Sequence, residues 1–144
     1  MFNIAVQTCT VIKNMPLITI SRNKNGLAHL DEQALSKELI TVTHNCLSKC
    51  LNHTVINFHN LDYCHGNKGA IDASCLSVDI KITRGTNSES EKGDWIKCVW
   101  EILSQHIPNI EKNINYISIT EIESNSWGYN GLTQLTRART GDKK

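Results

Sequence analysis

The chain predicts an α/β (α+β) fold in which two β-α-β units form one four-stranded sheet with two long helices on one face. Three observations predict it. Residues 31–51 and 88–107 carry apolar side chains at three-to-four spacing, the mark of one buried helical face. Short β-branched runs with alternating polarity flank each of these segments. The order strand, helix, strand then recurs after a polar loop, in two units of about sixty residues each, so the helices pack on a shared sheet. The repeat is one of pattern, since the letters of the two halves differ.

The first strand is expected over residues 16–20, Pro16-Leu17-Ile18-Thr19-Ile20, with turn material from Ser21 to Gly26. Asp31 offers a helix N-cap, and Leu35, Leu39, Val42, Cys46, Leu47 and Cys50 line one face of a helix over about 31–51. Residues 54–61 read as a second strand through Val55, Ile56 and Phe58, and residues 62–72 as a loop with Gly66 and Gly69. In the second unit, Val78, Ile80 and Ile82 alternate with Asp79, Lys81 and Thr83, a half-buried strand. Ser88 and Glu91 form a capping box. Ile96, Val99, Trp100, Leu103 and Ile107 make the apolar face of a helix that must stop before Pro108. Residues 116–122 alternate as a further strand. The domain divides into a leader over 1–14, a folded body over 15–136 and a basic tail over 137–144.

At 144 residues and a net charge of +1, the chain has the length of one domain and shows no strong charge bias. The basic residues Arg137, Arg139, Lys143 and Lys144 read as a solvated end, and no nucleic-acid partner is expected. No apolar run approaches a membrane span, and residues 1–14 lack the pattern of a signal peptide, which places the protein in the cytoplasm. The six cysteines (Cys9, Cys46, Cys50, Cys64, Cys75 and Cys98) are accordingly expected as reduced thiols serving as small buried hydrophobes. His53, His59, Cys64 and His65 lack the tight paired spacing of a zinc site, so no metal is expected.

The Met15-Pro16 pair at the head of the first strand carries the chemistry. If translation starts at Met15, aminopeptidase trimming leaves Pro16 with a free secondary amine. An α-amino group titrates near ~8 in water, and an apolar pocket or a neighbouring cation lowers it further. Such an amine is neutral at working pH and moves protons. An internal Pro16 nitrogen is an amide with no basicity. In that case the 1–14 leader, where Phe2, Ile4 and Val6 alternate with polar residues, is free to add an edge strand.

Three pieces together resemble the tautomerase superfamily: Pro16 opening the first strand, the stretch Ile82-Thr83-Arg84-Gly85-Thr86-Asn87-Ser88-Glu89, and the ending Glu121-Ile122-Glu123-Ser124-Asn125-Ser126-Trp127-Gly128-Tyr129-Asn130-Gly131. The last is similar to the Trp-Gly-aromatic-x-Gly ending of 4-oxalocrotonate tautomerase-like proteins. The length from Pro16 onward is similar to the long fused subfamilies: malonate semialdehyde decarboxylase, cis-3-chloroacrylic acid dehalogenase and 5-carboxymethyl-2-hydroxymuconate isomerase. The resemblance implies Pro16 as catalytic base, Arg84 as the binder of a substrate carboxylate, and Trp127 and Tyr129 as pocket walls. His44 sits where the cis-dehalogenase branch places a functional histidine, beside the plainer reading of a surface group. Arg22 resembles an early-loop arginine that reaches a neighbouring subunit, although a solvent-facing role suits it better.

The departures bear on the reaction. A second arginine is replaced by Thr86 or Asn87, a water-activating Glu by Gly128, and no Asp precedes the second strand, where Asn52 and His53 stand. Decarboxylation and dehalogenation are weakened. What the resemblance implies is a cofactor-independent tautomerase or isomerase, a homotrimer, acting on a small carboxylated keto-enol or unsaturated oxo acid. The competing expectation is a catalytically silent small-acid-binding or interaction trimer whose Pro16 is masked by the leader.

Overall fold

The computed structural model describes residues 15–23 and 29–141. The expected strand at 2–6, Cys9, residues 24–26 of the expected turn and Lys143 and Lys144 lie outside the described residues, while Ser21 to Asn23, expected as turn, continue the first strand.

Strand β1 (Leu17–Asn23) leads to helix α1 (Glu32–Leu47), a 3-10 turn (Leu51–His53) and strand β2 (Val55–Leu61). A small hairpin of β3 (His65–Gly66) and β4 (Gly69–Ala70) follows. Strand β5 (Leu76–Thr83), helix α2 (Glu89–His106), a second 3-10 turn (Ile110–Lys112) and strand β6 (Tyr116–Ile122) repeat the first order. The chain closes with the hairpin β7 (Gly128–Tyr129) and β8 (Leu132–Thr133) and helix α3 (Gln134–Thr140).

The main sheet has the order β2-β1-β5-β6. β1 and β2 run parallel with Leu17 beside Val55, and β5 and β6 run parallel with Ile82 beside Glu121. The two units meet antiparallel at the centre, Leu17 beside Lys81. Each parallel pair is joined by its own helix, as a parallel connection demands. Ile18 and Ile20 of β1 and Val78, Ile80 and Ile82 of β5 form one buried cluster with Leu35, Leu39 and Leu47 of α1 and Trp95, Val99 and Leu103 of α2. The alternate positions point the other way and, Leu17 apart, are polar. Asp79 there accepts hydrogen bonds from Ser118 Oγ at 2.7 Å and Thr120 Oγ1 at 2.8 Å. Both helices therefore cover one face, as the alternation predicts.

Local chemistry sets the helix ends. Asp31 accepts from the Ala34 N–H, and the Ser88–Glu91 capping box closes the start of α2. α1 ends at Leu47 rather than near 51, because Ser48 turns left-handed at φ 57° and its N–H bonds the His44 carbonyl. That early stop leaves Lys49 to Thr54 free to run along the end of the sheet. Inside the helical layer Trp95 is fully buried, and its indole Nε1–H donates to Thr43 Oγ1 of α1 at 3.0 Å.

Further expectations change. Cys50 is disulfide-bonded, whereas Cys46, Cys64, Cys75 and Cys98 are free thiols, so the chain is not uniformly reduced. Arg137 does not lie on a solvated tail: it belongs to α3 and is 3 % exposed. Arg22 is not turned to solvent, because its guanidinium pairs with Glu32, donates to Asn60 Oδ1 at 2.8 Å and covers the Phe58 ring. No helix among the described residues is long and apolar enough to cross a membrane.

Candidate active site

The sheet register brings the chemistry-bearing residues to one end. Pro16 is buried one residue before β1, beside the entry to β2 and the exit of β5. Arg84 follows the last residue of β5, and its N–H bonds the Ile122 carbonyl at 2.9 Å at the exit of β6. Gly85, at φ +81°, turns the chain towards α2. A parallel unit places a strand's start and its partner's start at the same end. The antiparallel centre then adds the finish of β5 and β6 to that end. This is why four segments far apart in sequence meet there.

His44 and Lys49 are joined. The His44 Nδ1–H donates to the Lys49 carbonyl at 2.8 Å and so holds the turn after α1. The turn directs Lys49 inward, where it is 1 % exposed and its ammonium donates to Thr86 Oγ1 at 3.0 Å. Thr86 in turn donates to the Thr83 carbonyl at 2.7 Å, and Asn87 Nδ2 donates to the Leu47 carbonyl at 2.9 Å. The two residues that stand in place of a second arginine thus tie the start of α2 to the end of α1. A buried ammonium needs such oxygen partners, since the desolvation of a charge is costly.

Trp127 and Tyr129 are placed by the β7–β8 hairpin. Asn130 and Gly131 take positive φ values of 49° and 89°, the two-residue turn that an Asn-Gly pair favours. At Gly128 a Cβ would fall 1.9 Å from the Leu132 carbonyl oxygen, so only glycine lets the two strands approach. The Trp127 Nε1–H donates to Thr83 Oγ1 at 3.0 Å, which fastens the hairpin to the end of β5. The Tyr129 ring lies 6.2 Å from the His53 ring, and the Arg137 guanidinium sits 3.8 Å above it while donating to the Tyr129 carbonyl at 2.8 Å. His53 Nδ1, beside this ring, and Gln134 Oε1, at the start of α3, are buried with no hydrogen-bond partner among the described residues.

The rim is acidic. Arg84 Nε pairs with Glu123 Oε1 at 2.7 Å, with both side chains well exposed. Glu121 takes a hydrogen bond from Lys92 at 2.6 Å and a long one from the Gly85 N–H. The Lys92 hydrogen bond, aided by the Gly85 N–H and the nearby positive charges, holds the Glu121 carboxyl below the usual glutamate range.

Of the residues expected at a site, Pro16, Arg84, Trp127 and Tyr129 therefore stand at one end of the sheet, with His44 supporting the adjoining turn. Lys49, His53 and Arg137 are the residues sequence reasoning missed. Lys49 lay hidden inside a helix drawn too long. The Asn130-Gly131 pair was the available sign that the last segment folds back and carries α3, with Arg137, onto Tyr129.

The fold is the tautomerase-like α+β fold: a mixed four-stranded sheet carrying two β-α-β units. A solved structure of Pt0534 inactivated by 2-oxo-3-pentynoate superposes with a TM-score of 0.72 at 13 % identity, covering 88 % of this chain and 98 % of that one. The Q0 fused 4-OT symmetric trimer gives 0.69 at 16 % identity, covering 83 % and 96 %. Macrophage migration inhibitory factor from Toxoplasma gondii gives 0.62 at 17 %, covering 81 % and 98 %. At such identities the likeness defines the fold. By sequence, no family model and no curated protein matches the chain.

Proposed function

We propose that a form of this protein beginning at Pro16 is a cofactor-independent tautomerase or isomerase. It moves a proton on a small carboxylated keto-enol or unsaturated oxo acid. What supports the reading is the burial of Pro16 at the same sheet end as Arg84, Trp127 and Tyr129. A free Pro16 amine there takes a proton from one carbon or oxygen and returns it to another. Arg84 offers a planar fork to the substrate carboxylate, and the nearby cations favour the dienolate charge as it develops. Trp127 and Tyr129 exclude water, which together with the cations keeps the amine neutral. By analogy with the symmetric fused 4-OT trimer, the working form is a homotrimer.

A second reading has its own observation. In the chain as described, Met15 precedes Pro16, and the prolyl nitrogen is an acylated amide. That form is catalytically silent and binds small acids or partners only. Preparations starting at Pro16 and at Met1 separate the two readings. The Pro16 form is expected to ketonise a 2-hydroxydienoate or phenylenolpyruvate at least about tenfold faster, since general-base catalysis is lost on acylation. An alkynyl oxo acid such as 2-oxo-3-pentynoate, which inactivates Pt0534, is expected to add to Pro16 of that form alone, because a neutral amine attacks a conjugated alkyne. Equal rates from the two homogeneous forms, with no adduct on Pro16, would sink the proposal.

A further inference from the structure

The described cysteines do not occur singly. Cys50 is disulfide-bonded, Cys46 of α1 neighbours Cys98 of α2, and Cys64 neighbours Cys75. The last pair stands apart from the helical layer. Cys64 precedes β3 and Cys75 precedes β5, and both wall a cavity of about 790 Å³ at the sheet end opposite Pro16. Ser21, Leu61, Ser77 and Tyr116, from all four main strands, line the same cavity.

The backbone around the pair is held. The buried Asn23 side chain accepts from the Cys75 N–H at 2.9 Å, and its amide donates to the Ile71 and Ala73 carbonyls at 3.2 and 2.8 Å. The Asn23 N–H donates to the Cys75 carbonyl at 3.2 Å, and the Ile71 N–H donates to the Cys64 carbonyl at 2.7 Å. Cys75 Sγ also lies 3.7 Å from the Ile114 carbonyl. Two free thiols are thus presented to each other at an open cavity wall by a clamped loop.

We propose that Cys64 and Cys75 are a reversible dithiol–disulfide site that exchanges with small-molecule disulfides entering this cavity. The Cys64 thiolate attacks one sulfur of the incoming disulfide, whose S–S bond breaks and releases one thiolate. The Cys75 thiolate then attacks Cys64 Sγ and expels the second. The two protein thiols lose two electrons and two protons, and the small disulfide is reduced to two thiols that take them up. Burial, and then the neighbouring Cys64, push the Cys75 thiol up, so Cys75 suits the second, intramolecular step better than the first. The Cys46–Cys98 pair lines no part of this cavity. It lies at the helix interface, where burial and then Cys98 push the Cys46 thiol up to about 11.

The test incubates the full chain with oxidised glutathione, quenches by alkylation and maps the cysteines by peptide mass. The expected product has lost two hydrogens, carries no glutathione and contains a Cys64–Cys75 linked peptide that reduced glutathione reopens. Cys64→Ser and Cys75→Ser are each expected to stop at a glutathione adduct on the remaining thiol. Stable adducts on both cysteines of the unaltered chain overturn the proposal. So does alkylation of both without any oxidation, or a Cys46–Cys98 link formed while Cys64 and Cys75 stay reduced.

Discussion

Arg84 carries a prediction whose size the structure sets. Its guanidinium is engaged with Glu123 at 2.7 Å, and the two side chains are 63 % and 62 % exposed. A substrate carboxylate must displace Glu123 to reach the same fork. A charge-assisted hydrogen bond is worth about 1.5–3 kcal/mol. The exposed pair given up is worth about 0.2–1 kcal/mol. The net contribution of Arg84 to substrate binding is then about 0.5–2.8 kcal/mol. At about 1.4 kcal/mol per decade, Arg84→Ala lowers kcat/KM roughly two- to hundredfold, mainly through KM. Glu123→Gln removes the competitor and raises affinity by at most about fivefold, less as salt is added. In the Arg84→Ala background the Glu123 substitution has no such benefit. The assay is steady-state ketonisation by the Pro16-starting protein at two ionic strengths, with urea melts confirming that both exposed substitutions leave the fold intact. An Arg84→Ala enzyme with unchanged kcat/KM for a carboxylated substrate refutes the argument and places the arginine outside the site.

Other contacts in the structure carry predictions of their own. Trp95→Phe removes the buried bond to Thr43 and is expected to cost about 1–3 kcal/mol in denaturant unfolding; an unchanged midpoint would show that the indole bond contributes nothing net. Glu121 has a folded-state pKa below its unfolded value, so its stabilisation is present above the ordinary glutamate range and fades as pH falls through the lowered folded pKa. Urea midpoints of the native chain and Glu121→Gln should therefore differ at neutral pH and converge in acid, and a gap that persists in acid contradicts this. Decarboxylation of malonate semialdehyde and chloride release from cis-3-chloroacrylate are expected only as traces, because Thr86 and Asn87 are spent joining the helices and Gly128 offers no base. Turnover of either faster than enol ketonisation reverses that ranking.

By itself the sequence determined the two β-α-β units, the one-sided helical layer and the capped starts of both helices. These rest on periodicity and side-chain to backbone bonds spanning a few residues, which are local and hence legible. The β7–β8 hairpin was equally local in its Asn130-Gly131 turn. What α3 does there was not legible, because Arg137 meets Tyr129 only after the chain has folded back. Tertiary structure alone decided that Ser48 ends α1 and turns Lys49 inward, and that Thr86 and Asn87 brace helices instead of standing idle. It also decided that Glu123 occupies Arg84, that His53 lies against Tyr129, and that Cys64 meets Cys75. Each of these contacts joins elements brought together by strand register, and a single sequence records the strands but not which side chains their ends will share.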